Sequence, residues 1–523
     1  MWERLLSTHP DKTYIRTIVQ IIQYGARIGY TGPDQIILSA NLPSANNSTE
    51  TLDKDILDQR TQNRLIPVTN PEHLRRFISS PLGLVPKPGP TEVWRRIHHL
   101  SSPPGRSVND HIPNEWGTLE YASFDEAVAM VAAAGQGAIL IKRDLADAFR
   151  HIPVAPTDYW LLGFCWGGTY WMDCFLPFGL RTSPFIFDLF AKGLHFLLEA
   201  DPAIYQSFSI LHYLDDFFAA CLPGADPKIY ELRFANICSE LGLPIKESKS
   251  ITGTTADFGG IEFDTLAMEA RLPPAKLLKA QNLLAALWPK RTLTLLEIQS
   301  LIGYLSFCSK VVPIGRSFLR RLYNAATSSG NPPQRPGRPI PITNDMRLDL
   351  RWWRDFLPQW NGITLIHKNR PTKYLWTDAS GTKGQGAYFM NTPIEDHWQC
   401  QVNWKQAFSK PLSRHHRHKD INYLEMHTVL LALQRWGAHF AHCRLIIHTD
   451  NTTVSNGLRR RSVRGDSMEP LRSITLFAAH NDIEIQTRWI PTNENTLADL
   501  LSRRNFDRIA EQFPLLAQPE EQL

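Results

Sequence analysis

Two groups of acidic residues have the spacing and the neighbours that metal-dependent chemistry requires. In the first group, Asp144 ends a short apolar run, and Asp215 and Asp216 lie between two further apolar runs. Carboxylates about 4 Å apart repel one another by roughly 1 kcal/mol even in water, so such a group needs a cation or protonation. Mg²⁺ and Mn²⁺ prefer oxygen ligands and would satisfy it. Alone, Asp215 and Asp216 are equally compatible with an exposed hairpin turn, where Asp is common.

The second group contains four acids that lie far apart in the sequence. Asp378 and Asp450 each end a strand-like apolar run, whereas Glu425 and Asp499 lie in helical patterns. Each acid alone is more typical of a helix cap or a surface residue than of a metal ligand.

The elements that must position these acids can be read from the apolar pattern. Apolar residues at helical spacing over residues 15–22 predict an N-terminal helix that serves packing. Short strands alternating with helices predict a mixed α/β domain over residues 80–265, and residues 374–504 predict a second α/β unit. Between them, residues 271–324 have a helical pattern, and residues 328–339 lack any apolar residue to bury, which predicts a linker.

Basic charge is concentrated between the two acidic groups. The chain carries a net charge of +5, but residues 271–330 hold nine Lys or Arg and one acid, Glu297, so this segment is +8 and the remainder is −3. A basic segment in a slightly acidic chain suits a polyanion, because neutralised phosphates release counterions. A solvated helix face explains the charge equally well.

The composition excludes several classes of protein. A chain of 523 residues predicts about three or four domains, and 43% hydrophobic with 20% charged residues excludes general disorder. The apolar stretch 15–30 is interrupted by Arg and Gln and is shorter than the ~20 residues that span a membrane. The N-terminus is unlike a secretory leader, and the seven cysteines lack disulfide or zinc spacing. We therefore expect an intracellular protein, cytoplasmic or nuclear, that is neither secreted nor bound to a membrane.

Three further motifs surround the first acidic group. Residues 81–87 with Trp94-Arg95 precede it, residues 176–184 lie between its members, and residues 258–264 follow it. In this order the pieces resemble a retroelement reverse transcriptase, although a lone Tyr-x-Asp-Asp would be a weak signal. The resemblance implies an α/β (α+β) right-hand polymerase with fingers, palm and thumb, followed by a helical connection and an RNase H-like domain.

The resemblance also assigns roles to individual residues. Asp144, Asp215 and Asp216 would be palm carboxylates that hold two Mg²⁺ ions, with Mn²⁺ as the alternative. Phe149 would exclude the ribose 2′-hydroxyl, although simple packing is the favoured explanation without the resemblance. The other substrate-binding positions are Lys87 and Arg95 for the triphosphate, Phe178 and Tyr213, Gly179 for close approach of the template-primer, and Lys249, for which Lys246 is an alternative.

The second acidic group follows a polymerase-like region and resembles the Asp-Glu-Asp-Asp site of ribonuclease H. The resemblance implies that its four acids hold two metal ions about 4 Å apart, which activate water for RNA cleavage. Many family members carry a His before the last Asp, whereas residues 489–495 contain none, so we expect slower cleavage. The run Arg-His-His-Arg-His-Lys at 414–419 is interpreted as a basic loop near the hybrid, in preference to a zinc site or an inert surface.

Residues 2–30 and 315–321 look most similar to the DIRS-like, tyrosine-recombinase class of retrotransposons, particularly the fungal ones. No protease, zinc-knuckle or integrase pattern is visible, so we expect the polymerase and nuclease portion of something larger or a separate product. The predicted domains are an N-terminal extension (1–75), fingers and palm (76–268), a basic helical thumb and connection (269–327), a linker (328–345), an RNase H-like domain (346–505) and a C-terminal tail (506–523).

The function predicted from the sequence is RNA-directed DNA synthesis with cleavage of RNA in RNA–DNA hybrids. The expected partners are an RNA template, a DNA primer, the hybrid, dNTPs and other element-encoded proteins, with no membrane. Two alternatives stay open. One is a polymerase with an inactive ribonuclease, which the missing His favours; the other is a domesticated copy that binds nucleic acid without catalysis, which the presence of all the acids disfavours.

Overall fold

The computed structural model of the chain describes residues 1–86, 94–327, 339–358, 364–365, 370–393 and 402–517. The chain divides into two compact units, residues 1–268 and residues 269–523. In the described part of the chain, no helix is both long enough and apolar enough to cross a membrane.

The first unit alternates helices and strands, which confirms the predicted mixed α/β fold. Its helices are α1 (Trp2–Leu5), α2 (Lys12–Tyr24), α3 (Thr49–Thr61), α4 (Phe124–Ala134), α5 (Ser183–Glu199) and α6 (Pro227–Leu241). Its strands are β1 (Ile36–Leu38), β2 (Leu65–Val68), β3 (Phe77–Ser79), β4 (Leu82–Pro86), β5 (Trp94–His98), β6 (Leu140–Asp144), β7 (Gly163–Trp166), β8 (Thr169–Asp173), β9 (Phe208–Tyr213), β10 (Asp216–Cys221), β11 (Ile251–Gly253), β12 (Thr255–Phe258) and β13 (Ile261–Asp264).

Side-chain caps fix the starts of several helices. The carboxylate of Asp11 accepts hydrogen bonds from the first backbone amides of α2, and Ser123 and Glu126 form a reciprocal capping box at the start of α4. Helix α2 buries Ile15 and Ile18, so the helix expected from the apolar spacing is present and serves packing.

A four-stranded antiparallel sheet in the order β11-β6-β10-β9 carries the first acidic group. Its central strand β10 is covered on both faces. Phe217 meets Phe234 of α6, with ring centroids 5.4 Å apart, and Phe218 stacks on Phe258 of β12 at 5.0 Å. Both Phe217 and Phe218 are fully buried, so the strand that leads away from the acids is held rigidly.

The remainder of the unit contains a five-stranded sheet in the order β1-β3-β7-β8-β2 and the hairpin β4-β5. Arg150 is buried beside strand β8 and donates to both carboxylate oxygens of Asp173 at 2.8 Å. A buried arginine needs such a partner, because an unpaired buried charge is strongly destabilising. This pair fixes the segment that follows the first acid against the five-stranded sheet.

The second unit begins with helices and continues into a mixed sheet. Its helices are α7 (Pro274–Leu287), α8 (Leu295–Cys308), α9 (Arg320–Thr327), α10 (Asn344–Phe356), α11 (Ile421–Phe440), α12 (Thr452–Arg460), α13 (Met468–His480), α14 (Thr496–Ser502) and α15 (Phe506–Gln512). Its strands are β14 (Glu269–Arg271), β15 (Thr292–Leu293), β16 (Ile340–Pro341), β17 (Thr364–Leu365), β18 (Thr372–Ala379), β19 (Gly384–Met390), β20 (Ala407–Pro411), β21 (Arg444–Thr449) and β22 (Glu484–Trp489).

A five-stranded sheet of the second unit has the order β20-β19-β18-β21-β22. Strands β18, β19 and β20 pair antiparallel, whereas β18, β21 and β22 are parallel. Adjacent residues of β18 face opposite sides, so Leu375 packs with α11 and α13, and Trp376 packs with α14. Because parallel neighbours end at the same edge of a sheet, the ends of β18 and β21 lie side by side.

The helices that precede this sheet belong to the same compact unit as the sheet. Phe318 stacks on Trp352 of α10 with ring centroids 4.1 Å apart. The fully buried Asp349 of α10 forms ion pairs with Arg321 of α9 and Arg472 of α13. Residues 328–338, where the linker was expected, lie outside the described residues, so the domain boundary there stays a prediction.

Candidate active sites

Strand pairing brings the three acids of the first group to one end of the four-stranded sheet. Asp144 is the last residue of β6 and Asp216 is the first of β10, and the two residues are partners across the sheet. Asp215 lies in the turn before β10, where its carbonyl oxygen accepts a hydrogen bond from the backbone N of Leu145 at 3.0 Å. Two distant parts of the sequence therefore contribute their carboxylates to one cluster.

The turn between β9 and β10 has a strained backbone. Leu214 has φ +54°, in the left-handed region that residues with a branched or bulky side chain rarely adopt. Such a conformation costs about 1–3 kcal/mol and persists only where the surrounding structure holds it, commonly at functional sites. The two strands that flank the turn, β9 and β10, pair with each other and hold it in this conformation. The tight turn places Asp215 and Asp216 directly after the end of β9.

Two lysines supply positive charge to these acids. Lys249 Nζ donates to Asp144 Oδ2 at 2.6 Å, and Lys142 Nζ, on a buried side chain of β6, lies 3.8 Å from Asp216 Oδ1. Lys246 instead donates its backbone N–H to the carbonyl oxygen of Asp144 at 2.7 Å. Of the two candidate lysines that follow the acids, Lys249 is therefore the one whose ammonium group contacts a carboxylate of the group.

Burial and like charge oppose ionisation of two acids of the first group. Burial raises the pKa of Asp216 to about 7, Lys142 opposes this shift, and Asp144 and Asp215 add to it. Burial also raises the pKa of Asp215. Asp216 Oδ1 is buried and has no hydrogen-bond partner. An orphaned carboxylate oxygen among like charges fits a divalent cation, which would stabilise the ionised forms.

A cavity near the first group brings together several of the predicted substrate-binding residues. It is lined by Arg95, Asp147, Arg150, Phe178 and Lys246, among others. The exposed Arg95 guanidinium lies 5.6 Å from the centroid of the Phe178 ring, within the range of a cation–π contact. Four cationic side chains, Arg96 included, line the cavity against two carboxylates, Asp55 and Asp147, and this excess of positive charge suits an anionic ligand. Lys87, expected to act with Arg95, lies outside the described residues.

Phe149 and Tyr213 each contact another aromatic ring. Phe149 lies between the partly exposed Phe178, at 5.0 Å, and the buried Phe187, at 5.9 Å. Its ring therefore packs between a residue of the cavity lining and a residue of the core, so the packing explanation and the gate explanation both fit. The exposed Tyr213 stacks on Tyr121, with ring centroids 4.3 Å apart.

Gly179 is required by the chain's own backbone. Its φ is +107°, and a Cβ atom there would lie 2.1 Å from the carbonyl oxygen of His98 in β5. The side chain of Asn109 fixes the same loop, because it donates to the Gly179 carbonyl at 2.8 Å and accepts from the Arg181 backbone N at 2.9 Å. The glycine thus allows close packing within the fold, and close approach of a template-primer stays a prediction.

The parallel pairing of β18 with β21 brings together three acids of the second group. Asp378 lies near the end of β18, Asp450 directly follows β21, and Glu425 projects from the second turn of α11. One carboxylate oxygen of each lies within 4.8 Å of the others. Within the described residues, these three acids are the possible metal ligands whose ligand atoms lie this close together. Asp144, Asp215 and Asp216 do not converge to the same extent, and Asp144 Oδ2 is engaged by Lys249 instead.

The hydrogen bonds of the second group leave one oxygen unsatisfied. Glu425 Oε1 accepts from the backbone N of Ala379 at 3.2 Å, whereas Glu425 Oε2 is buried without a hydrogen-bond partner. Burial raises the pKa of Glu425 well above its usual value, and Asp378 adds to the shift. Burial likewise raises the pKa of Asp378 to about 6, against a hydrogen bond from Ser502. These groups fit a divalent cation for the same reason as the first group does.

Asp499 lies apart from the other three acids. It is in α14, where Arg503 Nε binds its Oδ1 at 2.7 Å, and it is not a member of the convergent group. Its charge nevertheless contributes to the raised pKa of Asp378. The structure therefore brings together three of the four acids and places the fourth nearby, held by an i,i+4 ion pair.

Three contacts of the acids and one contact of Tyr213 could not be anticipated from motifs. Ser502 Oγ donates to Asp378, and Thr492 Oγ1 donates to Asp450 Oδ2 at 2.7 Å. Lys142 and Tyr121 were also missed. The one available signal was position: Thr492 lies in the segment that lacks the His, and Lys142 is a cation within the apolar run that ends at Asp144.

The histidine-rich run 414–419 forms a loop before α11. The ring of His416 lies 4.3 Å from that of His427, and burial with nearby positive charge lowers the pKa of both. In the described part of the chain, these histidines are not among the groups that could hold a metal ion. The interpretation of this run as a basic loop near the hybrid stays a prediction.

Residues 85–270 match the family described as reverse transcriptase (RNA-dependent DNA polymerase). A Pro-Pol polyprotein of feline foamy virus is 26% identical over 240 residues, which are 46% of this chain and 18% of the polyprotein. A Gag-Pro-Pol polyprotein of human T-cell leukemia virus 3 is 27% identical over 257 residues, 48% of this chain and 16% of that protein. The chain thus matches less than a fifth of the length of these relatives. They are retroviral, so the closer similarity to DIRS-like elements stays a prediction.

Among solved structures, a foamy viral protease-reverse transcriptase in complex with double-stranded DNA has a similar fold. The TM-score is 0.50 at 18% identity, over 94% of this chain and 81% of that one. The first acidic group lies within the matched residues 85–270. The chain therefore contains, over these residues, a reverse transcriptase domain of the kind found in retroviral and retroelement polyproteins.

Proposed function

We propose that the chain is an RNA-directed DNA polymerase of a retroelement whose second unit cleaves RNA in RNA–DNA hybrids. The single observation that carries the polymerase part is that Asp144, Asp215 and Asp216 meet at one end of the sheet within the region that matches the reverse transcriptase family. The ribonuclease part is supported by the convergence of Asp378, Glu425 and Asp450 at a sheet edge of the second unit.

In the polymerase site, Asp144, Asp215 and Asp216 would hold two Mg²⁺ or Mn²⁺ ions. Bound ions of this kind lower the pKa of the attacking primer hydroxyl and neutralise charge on the pyrophosphate leaving group. The side chains around them position the substrates. Arg95 and Lys246 line the cavity that would take the dNTP triphosphate, and Phe149, whose ring lies 5.0 Å from that of the cavity residue Phe178, would face the ribose.

In the ribonuclease site, Asp378, Glu425 and Asp450 would hold the ions, with Asp499 completing the set. Burial of Glu425 and Asp378 favours their neutral forms, so ion binding and deprotonation are coupled. Thr492 and Ser502 orient two of the carboxylates by donating hydrogen bonds to them. An alternative, a polymerase whose ribonuclease is inactive, is favoured only by the missing His before Asp499.

The polymerase proposal is tested by extension of a DNA primer on an RNA template in Mg²⁺. We expect wild-type protein to incorporate dNTPs and the double variant Asp215→Asn, Asp216→Asn to lose at least ~10³-fold in rate, because metal-supported positioning supplies several kcal/mol of the barrier reduction. Glu240→Gln is the matched control, since this exposed acid forms a surface ion pair with Arg4, its one ion-pair partner among the described residues.

Equal extension by wild type and the double variant would refute the assignment of these acids. Wild-type protein that binds the hybrid but extends nothing in Mg²⁺ or Mn²⁺ would favour the remaining alternative, a domesticated nucleic-acid-binding copy.

A further inference from the structure

Two histidines of the first unit lie behind the turn that carries Asp215 and Asp216. His212 belongs to β9, shortly before Asp215, and His195 belongs to α5. Their Nδ1 atoms are 2.8 Å apart, and the His212 and His195 side chains are 15% and 18% exposed. A hydrogen bond at this distance needs a proton on one nitrogen and a lone pair on the other, so the bond is lost if both Nδ1 atoms are protonated.

Each ring faces a carboxylate with its other nitrogen. His212 Nε2 lies 3.6 Å from Asp188 Oδ1, and His195 Nε2 lies 3.2 Å from Glu199 Oε1. Asp188 is buried, and Lys192 Nζ lies 2.8 Å from its other oxygen, whereas the Glu199 side chain is 61% exposed. The two rings therefore lie in a row between two carboxylates, and these four side chains are named the histidine row.

The histidine row is best satisfied when the two rings carry three protons on their four nitrogens. One proton then lies between the Nδ1 atoms and each Nε2 donates toward its carboxylate, so the pair of rings has a single positive charge. With two protons the pair is neutral, and one Nε2 directs a lone pair at a carboxylate. With four protons, two N–H groups face each other. Both alternatives cost electrostatic energy in a partly buried place.

The charges along α5 support a single positive charge on the pair. Burial and the neighbouring His212 lower the pKa of His195, against Glu199, which disfavours a second proton. Burial opposes ionisation of Asp188, but His212 and Lys192 outweigh it and lower the pKa of this carboxyl. Asp188 therefore stays ionised beside the pair.

Two tyrosines from other elements also feel the charge of Asp188. Tyr14 of α2 donates to the carbonyl oxygen of Leu189, and burial together with Asp188 raises its pKa. Burial, Tyr213 and Asp188 likewise raise the pKa of Tyr121, which precedes α4. Both hydroxyls therefore stay protonated at neutral pH, whereas imidazoles generally titrate between about pH 5 and pH 8.

His212 connects the histidine row to the turn that carries the acids. Its ring stacks on Phe217 of β10, with centroids 5.3 Å apart, and the two residues are partners across the sheet. Phe217 directly follows Asp216, and the strained Leu214 lies just beyond His212 on the other side of the turn. Contacts that hold His212 against α5 therefore restrain both strands beside the acids.

We propose that His212 is a positioning residue of the polymerase site, held by one positive charge that it shares with His195. The charged pair fixes the end of β9 against α5 and so fixes the carboxylates at the β9–β10 turn. Above the pKa of the pair, one proton leaves to solvent, one contact of the histidine row is lost and the turn is less restrained. The positioning role rests on the proposed polymerase function, whereas the shared charge does not.

The shared charge is tested by NMR of the full chain labelled with ¹⁵N-histidine, in EDTA. The signals of the pair are assigned by their loss in His212→Gln and His195→Gln. We expect one proton to be taken up between about pH 8.5 and pH 5.5, as a titration that shifts the signals of both rings. Two separate and complete titrations in this range would overturn the shared charge, and so would a pair that stays neutral throughout.

Asp188→Asn checks the same point independently. Removal of the buried carboxylate takes away a partner of the charged pair, so the midpoint of the NMR titration is expected to fall. An unchanged midpoint would contradict the assignment of Asp188 to the histidine row.

The positioning role is tested by the pH dependence of primer extension on an RNA template, with saturating primer-template and dNTPs. His212→Gln and His195→Gln keep a hydrogen-bonding side chain that carries no charge. The ratio of wild-type kcat to variant kcat cancels the pH effects that the proteins share. We expect this ratio to be about tenfold higher near pH 6 than near pH 8.5, the lower end of what a hydrogen bond to a charged group contributes.

His480→Gln is the matched control, because it removes an exposed histidine of α13, and its ratio should be the same at both pH values. For the two Gln variants of the pair, a ratio that is constant or rises with pH would overturn the positioning role while the polymerase proposal stands. If wild type extends no primer, the polymerase proposal fails and the positioning role fails with it. The NMR titration then still decides whether the pair shares one charge.

Discussion

Asp216 combines burial with the charge of two neighbouring acids, and this combination makes the stability of the metal-free protein depend on pH. Its pKa is raised to about 7 in the folded chain, so the folded state binds a proton more tightly than the unfolded state does. The stability that this proton provides is fully present below the unfolded pKa and is lost as the pH rises through about 7. We therefore expect Asp216→Asn to match wild type near pH 4 and to be more stable than wild type at pH 8, in EDTA.

Thermal or denaturant unfolding of both proteins across this pH range measures the difference. The shift of the Asp216 pKa from 3.8 to about 7 makes the expected gap at pH 8 on the order of 4 kcal/mol, and saturating Mg²⁺ should reduce it by stabilising wild type more than the variant. A gap that stays constant between pH 4 and pH 8 would contradict the description of Asp216 as a buried acid that is short of counter-charge.

Individual residues also mark where sequence reasoning succeeds and where it stops. Asp378, Glu425 and Asp450 could be chosen because their order after a polymerase-like region resembles ribonuclease H, and the fold then brings the three together. Ser502 and Thr492 could not, because a hydroxyl in a polar segment has no pattern that indicates its partner. Asp499 lies outside the convergent group and forms an ion pair with Arg503, four residues later.

At the scale of elements, the helices that precede the second sheet are tied to it by a buried charge. Asp349 of α10 is fully buried and lies 2.9 Å from Arg321 Nη1 and 3.5 Å from Arg472 Nη2. Removing the acid takes this partner from Arg472 and leaves Arg321 with the more distant, exposed Asp345, and breaking a buried ion pair in this way costs about 3–5 kcal/mol. We expect Asp349→Asn to lower the free energy of unfolding of the second unit by an amount of this order.

Asp345→Asn is the matched control for this prediction. Asp345 lies one helical turn away and contacts the same Arg321 at 3.7 Å, but its side chain is 69% exposed. Exposed ion pairs contribute about 0–1 kcal/mol, so this variant should unfold almost as wild type does in urea. An equal decrease in the free energy of unfolding of the two variants would contradict the prediction, because burial of Asp349 would then add nothing to the ion pair.

The pattern of elements was more predictable than their packing. Alternating apolar strands and helices indicated two α/β regions, because the period of the apolar residues reflects which face is buried. The sequence also suggested that residues 328–339 separate the basic helices from the second sheet. The meeting of α9, α10 and α13 at Asp349 was not predicted. Ion pairs between residues far apart in the chain leave no local pattern in the sequence.

At the scale of the whole molecule, the chain has two compact units, each with its own acidic group. The residues of the first group all lie before residue 269, and those of the second group all lie after it. If both groups perform metal-dependent chemistry, each reaction should depend on its own acids alone. The central claim is therefore that DNA synthesis and RNA cleavage are separable by mutation.

The most direct test is one gel that follows extension of a labelled DNA primer and fragmentation of a labelled RNA template in Mg²⁺. Wild type should show both products, Asp215→Asn with Asp216→Asn should retain only RNA fragments from a preformed hybrid, and Asp378→Asn should retain only extension. Loss of both activities in either variant, or of neither, would contradict the account of two independent sites.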